Sequence, residues 1–419
     1  MVYLIDYGGT MGFLLNAQLE ELLAALHSAE LLDKSRIKPN YFIRERKLPF
    51  AKLVMFMLDR SNASTQVALN RFTKLLGDDA VSQQAFSKAR NKINHIPFLE
   101  LFKASHKGVP RTKRWNGYLL NSLDGSIISL PLSKELATYF GTAGPKTANS
   151  PAARAGIRVD VLNGLVLDAD ITPSKIGERI TATRFLHNQS GDDKEINIYD
   201  RGYFSWKFAK AHKEKGIHFL FRLKTKFNNE IDDLPIGNHN IVTINGLKVR
   251  IIKLVLESGE IETLVTDLFD EDLDVQDFKE LYALRWGVET KYDLVKNKLA
   301  LENFTGLSPN AIKQDFFSSM TILNLVAIVK IEADAEISEN REGKNNKYKY
   351  VANVNTIVGT LKDYLILAFL HSGTPEVYDI MDEIRRVCSR SVVPVRPGRS
   401  FPRSNTRNVK FHINCKSNL

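Results

Sequence analysis

Cysteine is almost missing from this chain: Cys388 and Cys415 are the only two in 419 residues. No disulfide framework can hold such a sequence, and a reducing compartment suits it. Long apolar runs are also missing. The nearest to one, Phe316–Val329, is interrupted by Ser, Thr and Asn, so no membrane span is expected. No Lys or Arg precedes position 34, which removes the basic flank of a signal peptide and points to a cytoplasmic protein. With 24 Gly and 14 Pro, the collagen-like and low-complexity classes are excluded. What remains is an ordinary globular composition, 43% hydrophobic and 25% charged, long enough for two or three domains.

The net charge of +10 is unevenly distributed. Residues 1–33 carry five acids and no Lys or Arg, whereas residues 34–114 carry eighteen Lys/Arg against five acids. Residues 384–419 add nine Lys/Arg and no acid, which leaves the stretch between these basic blocks net acidic. Clustered cations release counterions from a polyanion, so two separate basic flanks point to nucleic acid. An acidic centre repels phosphate unless its carboxylates hold divalent cations.

Segment 16–32 reads as a helix, and the pattern stays helical from 50 to 105. Ser64–Leu76 and Ser82–Ile93 flank a turn at Gly77, with Ser82 as N-cap, and suit a helix-turn-helix. Gln83, Gln84, Ser87, Lys88 and Arg90 are then candidates for DNA edges or phosphates, and a small helical bundle is an equal reading. From 117 the period turns to strand, through GYLLNSLDGSIISLP, GIRVDVLNGLVLDADIT and EINIYD, with a helix in Lys175–His187. Further strands follow, with turns at Asn245-Gly246 and Ser258-Gly259. Helices resume from Val275 to about Ala335. A loop is expected over Glu336–Lys349, a helix over Val354–His371, and an extended Pro/Arg-rich tail beyond Val392.

Asp124, after GYLLNSL, and Asp200, after INIY, each pass individually for strand-ending turn residues. In LYALRWGVETKYDLVKNKLA, residues Tyr282, Arg285, Glu289 and Lys296 are separated by two, three and six residues. On one continuous helix they fall within an arc of about 60°, beside an apolar stripe of Leu281, Leu284, Val288, Val295 and Leu299. An amphipathic helix with one Arg–Glu pair explains Arg285 and Glu289, but gives no reason for the aromatic hydroxyl and second cation in line with them.

This stripe resembles, in identity and spacing, the Tyr-Arg-Glu-Lys signature of DDE transposases of the insertion-sequence-four group. Asp124 in LDGSIISLP and Asp200 in IYDRGYFS look like the first and second acids of that group. The resemblance implies an α/β fold: an RNase-H-like mixed sheet with helices on both faces and a β-rich insertion at about 217–267. It also implies a helical, helix-turn-helix-like N-terminal DNA-binding domain (1–112), a catalytic core (113–335) and a C-terminal helical segment with a basic tail (336–419). The implied activity is cut-and-paste transposition. Asp124, Asp200 and Glu289 would hold two Mg2+ or Mn2+ ions, and Tyr282, Arg285, Lys296 and Arg222 would contact DNA. Double-stranded DNA, in terminal inverted repeats and target, and a second copy of the chain in a synaptic homodimer are the implied partners. Trp286 could stack on an unpaired base or pack in the core. Cys388, His412 and Cys415 could be read as zinc ligands, but lack a fourth. Rival readings are a DNA-binding regulator without catalysis, a nuclease lacking strand transfer and, far behind, a paired-carboxylate glycosidase.

Overall fold

The computed structural model describes residues 6–7, 10–11, 14–44, 46–59, 63–144, 150–191, 193–256, 258–294 and 304–396. The chain packs as two units. One comprises Met1–Pro110, Ser129–Ala152 and Leu294–Leu419; the other comprises Arg111–Ile128 and Ala153–Asp293. This partition differs from a division into three consecutive segments, because the first unit gathers pieces from both ends of the chain.

The first unit is mainly helical. Its helices, numbered along the whole chain, are α1 (Leu14–Leu26), α2 (Ala29–Ser35), α3 (Phe50–Leu58), α4 (Thr65–Leu75), α5 (Gln83–Arg90), α6 (Ile96–Ala104), α7 (Lys134–Phe140), α13 (Pro309–Asn340), α14 (Val354–His371) and α15 (Glu376–Arg390). The single helix expected over 16–32 is broken at Ser28, whose hydroxyl caps α2 by accepting from the Leu31 amide at 3.1 Å. Ser82 caps α5 as expected, accepting from Ala85 at 3.2 Å.

Helix α13 organises this unit. Ser308 caps it, Pro309 opens its first turn, and it runs past the expected end near Ala335 to Asn340. It is long and apolar enough by composition to cross a membrane, yet 83% of its apolar window is buried. A helix that is apolar all round is a core helix when its neighbours cover it. Here α1, α3, α6, α7, α14 and α15 do so.

Arg90, expected to face DNA, is buried in this unit at 3% exposure. Its Nε donates to Gln314 at 2.7 Å, and Nη2 donates to the Ala311 carbonyl at 2.8 Å and pairs with Asp315 at 3.0 Å. The polar look of SQQAFSKAR hides this inward-facing residue; Gln83, Gln84, Ser87 and Lys88 are exposed. Cys388 lies buried in α15, while His412 and Cys415 fall outside the described residues.

The second unit is a sheet between two helical layers. Its strands are β1 (Leu119–Ser129), β2 (Ser150–Asp160), β3 (Val166–Pro173), β4 (Glu195–Tyr199), β5 (His218–Arg222), β6 (Gly237–Ile244), β7 (Leu247–Val255) and β8 (Ile261–Thr266). The last residue of β1 and the first three of β2 belong to the first unit. Spatial order is β3-β2-β1-β4-β5-β8-β7-β6. β2 and β3 are antiparallel, whereas β1, β4 and β5 run parallel. This mixed order is an RNase-H-like sheet.

The expected insertion at 217–267 needs a correction. Its first strand, β5, is parallel to β4 and so belongs to the core order. Only β6 to β8 are added, and they extend the same sheet through antiparallel pairs. The β6–β7 hairpin turns at Asn245 (φ 51°) and Gly246 (φ 71°), the left-handed pair that a two-residue hairpin favours.

Alternation along the strands sorts the core onto two faces. Tyr199, Phe219 and Phe221 pack with Phe185 of α8 (Glu178–Asn188) and Phe208 of α9 (Trp206–Lys215). Leu120, Ile196, Ile198 and Leu220 pack on the opposite face with Phe278 and Leu281 of α11 (Val275–Ala283).

A buried polar network supports the β1/β4 register. Arg111 donates to Asp160 and Glu195, both at 2.7 Å, and to Asn121 at 2.8 Å. Asn121 in turn donates to Glu195 at 3.1 Å and Asn197 at 3.2 Å. Side chains this specific disfavour a one-residue slip, which would strand buried polar groups.

Candidate active site

The pairing that sets Ser122 opposite Ile198 also places the two aspartates. Asp124 and Asp200 each lie two residues further on along these neighbouring parallel chains. Alternation then points both toward the face covered by α11. Asp124 is not in a hairpin turn: β1 continues through Gly125 to Ser129. Asp200 directly follows the fully buried β4 and accepts from the Arg201 amide at 2.7 Å.

Above that face stands Tyr282, buried in the last turn of α11, donating its hydroxyl to Asp200 at 3.2 Å. Burial, reinforced by the Asp200 charge, holds the phenol above its usual range, so it stays protonated and donates. The single continuous helix expected through Lys296 is interrupted. α11 ends at Ala283 and α12 (Trp286–Asp293) begins three residues later. Between them the hydrogen bonds tighten to three-residue spacing: Arg285 to Tyr282, Gly287 to Leu284 and Val288 to Arg285. The 3.6-residue wheel therefore does not apply across Arg285. Gly287 also sits where a side chain has little room, since an added Cβ would come within 3.1 Å of Val161.

The tightened turn leaves Arg285 buried at the centre of the constellation. Its side chain is 4% exposed, its Nη2 donates to Glu289 at 2.9 Å, and its Nε is buried with no acceptor among the described residues. The guanidinium lies 5.7 Å from the Tyr282 ring centroid and 4.9 Å from that of Trp286. Burial opposes its charge, but Tyr282, Asp200 and Glu289 together outweigh that and raise its pKa. Glu289 reaches solvent at 32% side-chain exposure, and Trp286 is exposed, not in the core. Arg222, at the end of β5, has its Nε 2.8 Å from Glu262 and a side chain only 18% exposed. Lys296 lies outside the described residues.

Burial pushes the Asp124 carboxyl up to about 6. The Gly125 amide and Arg285 pull it down, while Glu178 and Glu289 push it further up. Asp124, Asp200 and Glu289 thus belong to one electrostatic neighbourhood, with Arg285 acting on both aspartates. No three His, Cys, Asp or Glu side chains among the described residues close into a metal-holding group as placed. Glu289 instead faces Arg285, and Glu178 pairs with Arg154. The donor chemistry nevertheless fits Mg2+ or Mn2+: hard carboxylate oxygens, mutually repelling, on a central strand, a neighbouring strand end and a helix.

Sequence reasoning missed Glu178, Arg154 and Glu262. A lone glutamate in the first turn of α8 looks like an ordinary complement to the helix dipole. Its place beside Asp124 emerges only when β1 and α8 pack together.

A chain 23% identical over 206 residues, covering 47% of this chain and 68% of its own length, is InsZ of Escherichia coli (strain K12), a protein assigned to the transposases. A solved piggyBac transposase synaptic complex with hairpin DNA is 12% identical, with a TM-score of 0.47 over 92% of this chain and 84% of that one. The profile of the transposase DDE domain matches residues 115–325, half of the chain, from the strand bearing Asp124 through the helix bearing Glu289. The chain belongs to the DDE-domain transposases.

Proposed function

We propose that this transposase moves an insertion sequence by cut-and-paste. It binds the terminal inverted repeats, hydrolyses the phosphodiester bonds at the element's ends and joins the freed 3′ ends to target DNA. The observation that supports this reading is the parallel pairing of β1 with β4, each strand leading to one aspartate, together with the bonds from Tyr282 to Asp200 and from Arg285 to Glu289.

Asp124, Asp200 and Glu289 would hold two Mg2+ or Mn2+ ions. Bound cations of this kind stabilise charge at phosphorus and make water nucleophilic at neutral pH. The chain's own residues do the rest. Tyr282 orients Asp200 through its hydroxyl, so that carboxylate keeps one direction. Arg285 neutralises excess negative charge between the acids, and its guanidinium is the group that would donate to a phosphate oxygen. Glu289 bridges the two tasks, held by Arg285 at one oxygen. Arg222 and Lys296 are further phosphate contacts, and exposed Trp286 is placed to stack on an unpaired base. The basic block at 34–114 supplies cations for the inverted repeats, and a synaptic homodimer brings the two ends together. Such a protein acts at the bacterial nucleoid.

The test is an assay with the full chain on DNA carrying the inverted repeats that this reading requires on either side of its coding region. Mg2+-dependent cutting at the repeat ends and joining to a target plasmid are expected, with both lost in EDTA. Cutting without joining would reduce the protein to a nuclease. Metal-independent DNA binding with no cutting would make it a regulator.

A further inference from the structure

Glu178 is the acid that sequence reasoning passed over, and its surroundings are specific. It opens α8, on the side of the sheet opposite Asp124, yet it extends over the glycine that follows Asp124. A Cβ added at Gly125 would meet the Glu178 side chain at 2.7 Å from Cγ and 3.2 Å from Oε1. A Cβ added at Gly202, two residues after Asp200, would lie 3.7 Å from Oε2. The side chain therefore occupies the space that a Cβ at Gly125, beside Asp124, would need, and its Oε2 lies within ordinary contact range of Gly202, two residues after Asp200. Arg154, across β2, fixes it through Nη1 to Oε1, and Nη2 lies 3.5 Å from the Ser174 carbonyl. Glu178 also weighs on Asp124 more heavily than Glu289 does.

An ordinary salt bridge explains the Arg154 pair. It does not explain why the acid of that pair sits against the glycine that follows Asp124 and within reach of Gly202. Resting on the reading above, we propose that Glu178 is a fourth carboxylate of the metal centre. Arg154 is a positioning residue that holds Oε1.

The test reads metal binding, not turnover: Mn2+ titration of the full chain, followed by electron paramagnetic resonance. Glu178→Gln is expected to weaken Mn2+ binding by about tenfold or more, the scale for losing a group that supports a metal site. Glu178→Asp, which keeps the charge on a shorter stem, should fall between that variant and wild type. Gly125→Ala, which displaces the side chain but leaves its charge, should also weaken binding. It carries the test if Glu178→Gln fails to fold. Arg154→Gln should change Mn2+ affinity by less than about threefold, since it removes a support and no ligand. Affinity unchanged in both Glu178→Gln and Gly125→Ala, with Asp124→Asn weakened, overturns the assignment of Glu178 alone. If Asp124→Asn is unchanged as well, the two-metal reading of the site falls with it.

Discussion

Glu289→Gln is expected to abolish cutting of the element's ends, by about a thousandfold or more, while end binding stays within about threefold of wild type. If Glu289 holds a cation as proposed, the substitution replaces a hard anionic ligand with a neutral amide of the same shape. The amide oxygen can still accept from Arg285 Nη2, so the turn between α11 and α12 keeps its tie. What is lost is one carboxylate's share of cation binding. Charge stabilisation of that kind supplies several kcal/mol at the transition state, and each 1.4 kcal/mol is tenfold in rate. Gel shift with Ca2+ in place of Mg2+ measures the binding, and end-labelled DNA in Mg2+ measures the cutting. A variant that cuts at the wild-type rate would remove Glu289 from the ligand set.

Arg90→Met should destabilise the helical unit by about 3–5 kcal/mol, the range for breaking one partner out of a buried ion pair. The reason is local. Asp315 is 2% exposed, so it cannot recover by hydration the guanidinium it loses. Gln314 and the Ala311 carbonyl lose their donor at the same time. The double variant Arg90→Met with Asp315→Leu should recover much of the loss, because it leaves no buried charge unpaired. Lys88→Ala, on the exposed side of the same helix, should change stability by no more than about 0.5 kcal/mol. Urea unfolding followed by circular dichroism measures all three. A loss below about 1 kcal/mol in Arg90→Met would mean that the clasp is not formed, and would return Arg90 to the DNA-facing candidates.

Arg90 also marks what could be read from the sequence and what could not. The strands that carry Asp124 and Asp200 announce themselves by apolar runs ending in acids, and the Asn245-Gly246 hairpin by its turn residues. Side-chain identity and spacing alone singled out Tyr282, Arg285 and Glu289. These signals are local, and local signals survive in one dimension. The break at Leu284–Arg285 was invisible because a periodicity argument presumes an unbroken helix, whereas here the chain tightens and buries the arginine among acids and aromatics. The partners of Arg90 lie more than 200 residues away, so no window along the chain contains them. Glu178 was hidden for the same reason: its meaning depends on two glycines brought to it by the fold. Even β5, read as the start of an insertion, needed its parallel partner to be seen as a core strand.

The most direct check is anomalous diffraction at the manganese edge from crystals of the full chain grown with Mn2+ and a DNA end. Anomalous peaks ligated by Asp124 and Asp200 together are expected, with Glu289 completing the set through the oxygen that does not accept from Arg285. Peaks at other carboxylates, with Asp124 and Asp200 bare while DNA is bound, would contradict it.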